Sequence, residues 1–175
     1  MIDYKKIKII ISDVDGVWTD AKIFKGNGNE EFKQFTVLDG VGVAMAKIAD
    51  IKIALVSARF SPATEERAKE LKIYDIYNGG LNKLHALEEL KLKYNFSNEE
   101  ISFIGDDYVD IPVMEKVAAP IAVNNAIEDV KKISIYTTKK SGGEGAFREA
   151  VFWILEKQER LDLVLNQMRK KILDN

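Results

Sequence analysis

Lys8-Ile9-Ile10-Ile11-Ser12-Asp13-Val14-Asp15-Gly16-Val17-Trp18-Thr19-Asp20 is the stretch whose reading decides the fold. An apolar, β-branched run leads into two aspartates one residue apart, and a glycine follows at once. The run from Ile7 to Ser12 is apolar on both faces and too short for a helix, which predicts a strand buried inside a parallel sheet. Sheets of that kind bind ligands beyond the carboxyl ends of their strands, so Asp13 and Asp15 are expected at a binding edge. Gly16 allows a sharp turn there, and both carboxylates can then converge on one small space. Acids held so close repel each other; a cation between them or a proton on one relieves the repulsion.

Outward from this stretch, strand and helix signals alternate. Ala21–Phe24 and Glu31–Thr36 bracket Gly26-Asn27-Gly28-Asn29 and read as a hairpin with turn residues suited to positive φ. Leu38-Asp39-Gly40 interrupts, and Val41 to Ala49 has helical spacing. Ile51–Val56 reads as a second buried strand, and Ser61-Pro62 opens a helix that runs through Leu71. A short strand at Asp75–Tyr77, a helix over Lys83–Tyr94 and a capping-box turn at Ser97–Glu100 precede a third strong strand, Ile101–Ile104. Beyond it come a short helix (Ile111–Val117), a strand (Ile121–Val123), a helix (Ala126–Lys132), a strand (Ile133–Thr137) and a glycine-rich loop (Ser141–Gly145). From Ala146 onward the spacing predicts one long amphipathic helix. The pattern implies a doubly wound, Rossmann-like α/β fold: a mostly parallel sheet with helices on both faces and a projecting hairpin over about 21–36. One domain over 1–175 is expected, with the loop and long helix filling about 141–175.

Composition narrows the chemistry. Of 175 residues, 46% are hydrophobic, enough for a sizeable core. Lys and Arg total 26 against 28 Asp and Glu, a formal charge of −2, so no nucleic-acid partner is expected. The chain has no cysteine, which excludes thiolate chemistry, and a single histidine, His85, which excludes a multi-histidine metal site. MIDYKKIK lacks an apolar signal core and no apolar run reaches about 18 residues, so a cytoplasmic protein without a membrane partner is expected.

Three turns after three predicted strands then gather polar groups: Asp13 with Asp15, Ser57, and Asp106-Asp107 with Asp110 nearby. Oxygen ligands from separate strand ends suit Mg²⁺, which binds few carboxylates and keeps several waters. A metal beside further acids suits phosphoryl transfer, in which a carboxylate can attack phosphorus. Alternatives stand beside each assignment. Asp106-Asp107 also fits a solvated turn, Ser57 a small turn residue, and Lys83 a surface cation at a helix start, although the helix dipole disfavours lysine there. His85 reads as a helix-surface residue and Trp18 as a packing residue.

Asp13-x-Asp15-Gly16-Val17, Ser57-Ala58-Arg59, Lys83 and Gly105-Asp106-Asp107, in that order, resemble the haloacid dehalogenase superfamily of phosphatases. The resemblance implies Asp13 as nucleophile and Asp15 as acid and then base. It also implies Mg²⁺ held by Asp13, Asp106 and the carbonyl of Asp15, with Ser57 and Lys83 on the phosphoryl oxygens and Asp107 and Asp110 in support. Too few residues separate the motifs for a cap domain. Asp13 to Asp20, Phe35 to Gly42, Gly105 to Met114 and Gly142 to Glu149 further resemble the small sugar-acid phosphatases acting on 3-deoxy-D-manno-octulosonate 8-phosphate. That family implies a homotetramer built through the hairpins. It also implies substrate contacts from Ala58, Arg59, Gly143 and Arg148, and an entrance lined by Asp39 and Gly40. Ala58 stands where relatives commonly carry glycine, and the chain continues past Ile154 in a longer helix. Phosphatases of nonulosonate 9-phosphates share these motifs, and related domains serve as non-catalytic oligomerisation modules; both remain alternatives. A receiver domain is disfavoured by Asp-x-Asp on the first strand, and a phosphomutase by the lack of a cap to exclude water.

Overall fold

The computed structural model describes residues 2–28 and 30–174. Its centre is β1 (Ile9–Ser12), with all four residues buried, as a strand apolar on both faces must be. β1 pairs in parallel with β4 (Lys52–Ser57) on one side and β6 (Ile101–Gly105) on the other. β5 (Asp75–Asn78) flanks β4, while β7 (Ala119–Ala122) and β8 (Tyr136–Thr137) extend the other edge, giving the order β5-β4-β1-β6-β7-β8. All five pairings are parallel. The chain winds outward from β1 through β4 to β5, then returns to β6 and winds the other way. The reversal falls between β1 and β6, the place where such sheets bind ligands.

Helices flank the sheet on its two faces. On one, α1 (Val37–Ile48) packs against α6 (Ala146–Lys157) and α7 (Leu161–Leu173). On the other, α3 (Lys83–Tyr94) meets α4 (Ile111–Met114), which meets α5 (Glu128–Ile133). α2 (Pro62–Glu70) lies over β5. A separate two-stranded ladder pairs β2 (Phe24–Lys25) with β3 (Glu31–Phe32), shorter than the expected hairpin strands. Gly28 takes a positive φ of 66° in the turn, as expected; Asn29, read as part of that turn, lies outside the described residues. Among the described residues no cap domain interrupts the fold, and no helix is long and apolar enough to cross a membrane.

Two expectations are corrected. Leu38-Asp39-Gly40 does not interrupt the chain: helix α1 already begins at Val37, because Thr36 caps it by accepting the Leu38 N–H at 3.3 Å. The expected long C-terminal helix is two helices. Glu159 adopts φ 58°, and the buried Gln158 amide donates to the carbonyls of Tyr4 and Ile7 at 3.0 and 2.9 Å. That break folds α7 back over its own chain's α1, with Val164 buried against the core.

Candidate active site

The carboxyl ends of β1, β4 and β6 open onto a cleft of about 300 Å³ lined by Asp13, Asp15, Ala21, Ile23, Ser57, Ala58, Arg59, Asp106, Asp107 and Val109. Gly16, φ 98°, makes the turn after Asp15; a Cβ there would overlap the Asp106 carboxylate, so the two acidic loops can approach only because this residue is glycine. Behind the turn, the Trp18 indole donates to Ser12 Oγ at 3.0 Å and stacks on Phe147 with ring centres 4.2 Å apart. Trp18 is thus a packing residue, and His85 pairs with Glu89 on the exposed face of α3.

Lys83 is not a surface cation. Standing at the first position of α3, it points inward and donates to Asp13 Oδ1 and Asp110 Oδ1, both at 2.5 Å. A buried ammonium is tolerable only with such partners. Burial works against the Lys83 charge, yet the charges of Asp13 and Asp110 outweigh it and its pKa is raised. Burial also pushes the Asp13 carboxyl up to about 6, despite the opposing Lys83 ammonium. Asp106 goes up to about 8, through burial first and then the negative charges of Asp13 and Asp110.

Carboxylate oxygens of Asp13, Asp106 and Asp110 lie within 4.8 Å of one another. Asp110 is already engaged: one oxygen takes Lys83, and the other accepts the N–H groups of Asp106 and Asp107 at 2.9 and 3.3 Å. Asp13 and Asp106 therefore remain as the facing pair. Two desolvated acids driven toward protonation form a donor set that fits a small, hard divalent cation. The carboxylate cluster takes in Asp110 as well; the Asp15 carboxylate, from which no metal contact was expected beyond its backbone carbonyl, lies against Lys33 Nζ, 2.7 Å from Oδ1 and 2.8 Å from Oδ2.

The remaining expected residues divide. Ser57 is buried at the end of β4, its hydroxyl donating to the Arg59 carbonyl at 2.7 Å, so contact with a phosphoryl group requires that rotor to turn. Arg59 overhangs the cleft and is held bidentately by Glu31 of β3; its hydrogen bonds keep the Glu31 carboxyl down at about 2. Asp107 lines the rim and caps the following turn through the Tyr108 N–H at 2.7 Å. Asp39 does not line the entrance within the chain. It is fully buried on α1, accepting the Arg148 N–H at 3.0 Å at the start of α6, and burial raises its carboxyl to about 6. Gly40, one residue on, faces Leu71 instead of the cleft. Arg148 lines a separate groove with Lys140, Gly145, Glu149 and Phe152. Gly143 borders a neighbouring cavity beside Asp20 and Asn125.

Two contributors were missed in the sequence. Lys33 reaches the cleft from the hairpin, with only the phase of the Glu31–Thr36 alternation to suggest it. Asn125 donates to the Gly16 carbonyl at 3.1 Å and accepts the Gly142 N–H at 2.7 Å, tying the glycine-rich loop to the nucleophile turn. Its position just after a strand, at the binding edge, was the available signal.

Family comparison decides the class. The haloacid dehalogenase-like hydrolase family matches residues 19–148, beginning beyond Asp13 and Asp15 and so independent of them. The chain belongs to the haloacid dehalogenase-like hydrolases. Among them it is similar to phosphatases. The 3-deoxy-D-manno-octulosonate 8-phosphate phosphatase of Escherichia coli is 39% identical over 93% of this chain and 86% of that protein. The phosphatase of that name from Moraxella catarrhalis, solved with magnesium, phosphate and the KDO molecule, superposes with a TM-score of 0.90 at 35% identity, over 95% of each chain. A cobalt-bound relative from Haemophilus influenzae has a TM-score of 0.85 at 36% identity, over 91% of this chain and 93% of that one. In this hydrolase, then, the acids at the ends of β1 and β6 form the candidate centre of a phosphatase.

Proposed function

We propose that the chain is a Mg²⁺-dependent phosphatase of a sugar-acid phosphate, 3-deoxy-D-manno-octulosonate 8-phosphate, working through an aspartyl-phosphate. The observation that carries this reading is the buried Asp13–Lys83–Asp110 cluster facing Asp106 at the sheet's reversal point. The likeness to the octulosonate 8-phosphate phosphatases supports the choice of substrate.

Asp13, Asp106 and the carbonyl of Asp15 would hold Mg²⁺, which would supply positive charge against the phosphoryl oxygens. Asp13 attacks phosphorus; its position is fixed by Lys83, which also neutralises charge on the transferring group. Asp15 gives a proton to the departing sugar oxygen and later takes one from the attacking water. Ser57 hydrogen-bonds a phosphoryl oxygen after its hydroxyl turns from Arg59. Asp110 orients Lys83 and the loop of Asp106 and Asp107. Arg59 reads the substrate carboxylate by exchanging it for Glu31. Gly143 and Arg148 lie apart from these acids, so contributions from them require a neighbouring copy, in keeping with a cytoplasmic homotetramer assembled through the hairpins.

The test is phosphate release from octulosonate 8-phosphate and a nonulosonate 9-phosphate, side by side, with Mg²⁺ and with chelator. Mg²⁺-dependent preference for the octulosonate is expected. Preference for the nonulosonate would keep the mechanism and overturn the substrate; inactivity on both would overturn the reading.

A further inference from the structure

We infer that Lys33 is a positioning residue for this reaction: from the hairpin it holds the Asp15 carboxylate in line for proton transfer. The inference rests on the reading of Asp15 as the acid. Lys33 follows β3 directly, and its side chain is fully buried while Asp15 remains 23% exposed to the cleft. Its ammonium lies 2.7 and 2.8 Å from the two Asp15 oxygens and 3.4 Å from the hydroxyl of Thr64 on α2. A buried lysine that spans from the hairpin to α2 and meets one carboxylate along the way fixes that carboxylate's rotation. The hairpin favours this geometry. Along β3 and past it, Glu31 and Lys33 turn inward to Arg59 and Asp15, while Phe32 turns out, 62% exposed. The polar side of an otherwise apolar projecting hairpin thus faces two groups of the site.

In the first half-reaction Asp15 enters protonated on Oδ1, the oxygen that accepts no hydrogen bond, while Lys33 donates to Oδ2; Asp13 forms a bond to phosphorus, the phosphorus–sugar oxygen bond breaks, and the sugar oxygen takes that proton. In the second, water attacks phosphorus as the phosphorus–Asp13 oxygen bond breaks, Asp15 takes the water's proton, and phosphate leaves with the Asp13 carboxylate restored. Misalignment of Asp15 slows the first half only where the leaving oxygen needs a proton. A sugar alkoxide does; 4-nitrophenolate does not.

Lys33→Met is therefore measured in single turnover with Mg²⁺, on octulosonate 8-phosphate and on 4-nitrophenyl phosphate, beside Asp15→Asn. Lys33→Met is expected to slow sugar release by about 100-fold, in the range lost with a general acid. The nitrophenolate burst should stay within about threefold of the unmutated protein, and Lys33→Arg should recover part of the sugar rate. Equal loss on both substrates, or no loss on either, would overturn the inference. Should Lys33→Met not fold, Lys33→Gln carries the same expectation. The two readings fail separately. A leaving-group difference in Asp15→Asn but not in the Lys33 variants overturns Lys33 alone. No such difference in Asp15→Asn overturns the role of Asp15 and this inference with it.

Discussion

Lys83 links fold and chemistry, because the same ammonium that starts α3 on the wrong side of its dipole neutralises two buried acids. The misfit of a lysine at a helix N-terminus was visible in the sequence; its partner Asp110, 27 residues away, was expected in support only through the family resemblance. Asp39 shows the opposite limit. The family resemblance implied an entrance residue, yet the start of α6 covers Asp39 and supplies only one N–H. Its second oxygen has no hydrogen-bond partner. Burial raises its folded pKa from 3.8 to about 6, so the folded state binds this proton more tightly than the unfolded chain. Asp39 thus costs stability as pH rises from about 4 to about 6, and the cost persists at pH 7. Asp39→Asn keeps the acceptor for Arg148 and should gain on the order of 2 kcal/mol at pH 7, a gain that disappears near pH 4. Thermal melts of both proteins at the two pH values check this; equal melting differences at both would contradict it.

Among elements, the core strands were the most legible. β1, β4 and β6 announce themselves as short, mainly apolar runs ending in polar turns, and length separates them from helices. The glycine-rich loop was legible as a loop but not as a seal. Gly142 lies so close to the Gly16 and Thr19 carbonyls that a Cβ would collide with both, a contact between segments more than a hundred residues apart. The hairpin was legible as a ladder but not in its phase. Ile23, Phe24, Phe32 and Phe35 were expected to be an exposed apolar edge of the hairpin. Instead Phe35 is half-buried under Arg67, Ile23 borders the cleft, and the cross-strand pair Phe24 and Phe32 is exposed at 55% and 62%. Two facing phenylalanines on a short projecting ladder form an edge that association would cover. The double change Phe24→Ser, Phe32→Ser should convert the proposed tetramer to smaller species in light scattering while the melting profile of the core persists. A tetramer unchanged by the substitutions would remove the hairpin from the interface.

At the scale of the molecule, the winding of the chain explains why so much of the site could be read in advance. A doubly wound sheet brings the carboxyl ends of its strands to one edge, so motifs separated by nearly a hundred residues converge without any contact being known. Asp13, Asp15, Ser57 and Asp106 were found through that rule. Lys33 and Asn125 were not, because one arrives on the hairpin and the other works by joining two loops. The two-helix tail was not legible for a related reason: amphipathic spacing continues across Gln158 to Arg160, while the helix ends where the Gln158 amide bonds Tyr4 and Ile7 and Glu159 takes φ 58°. What unites these residues in the proposed mechanism is a single event, attack of Asp13 on phosphorus. The most direct measurement is to quench the Mg²⁺-loaded protein in acid during turnover of octulosonate 8-phosphate and map the phosphorylated peptide by mass spectrometry. One phosphoryl group on the segment carrying Asp13, absent in Asp13→Asn together with turnover, is the expected result. Phosphate release that proceeds without label on Asp13, or survives Asp13→Asn, would contradict it.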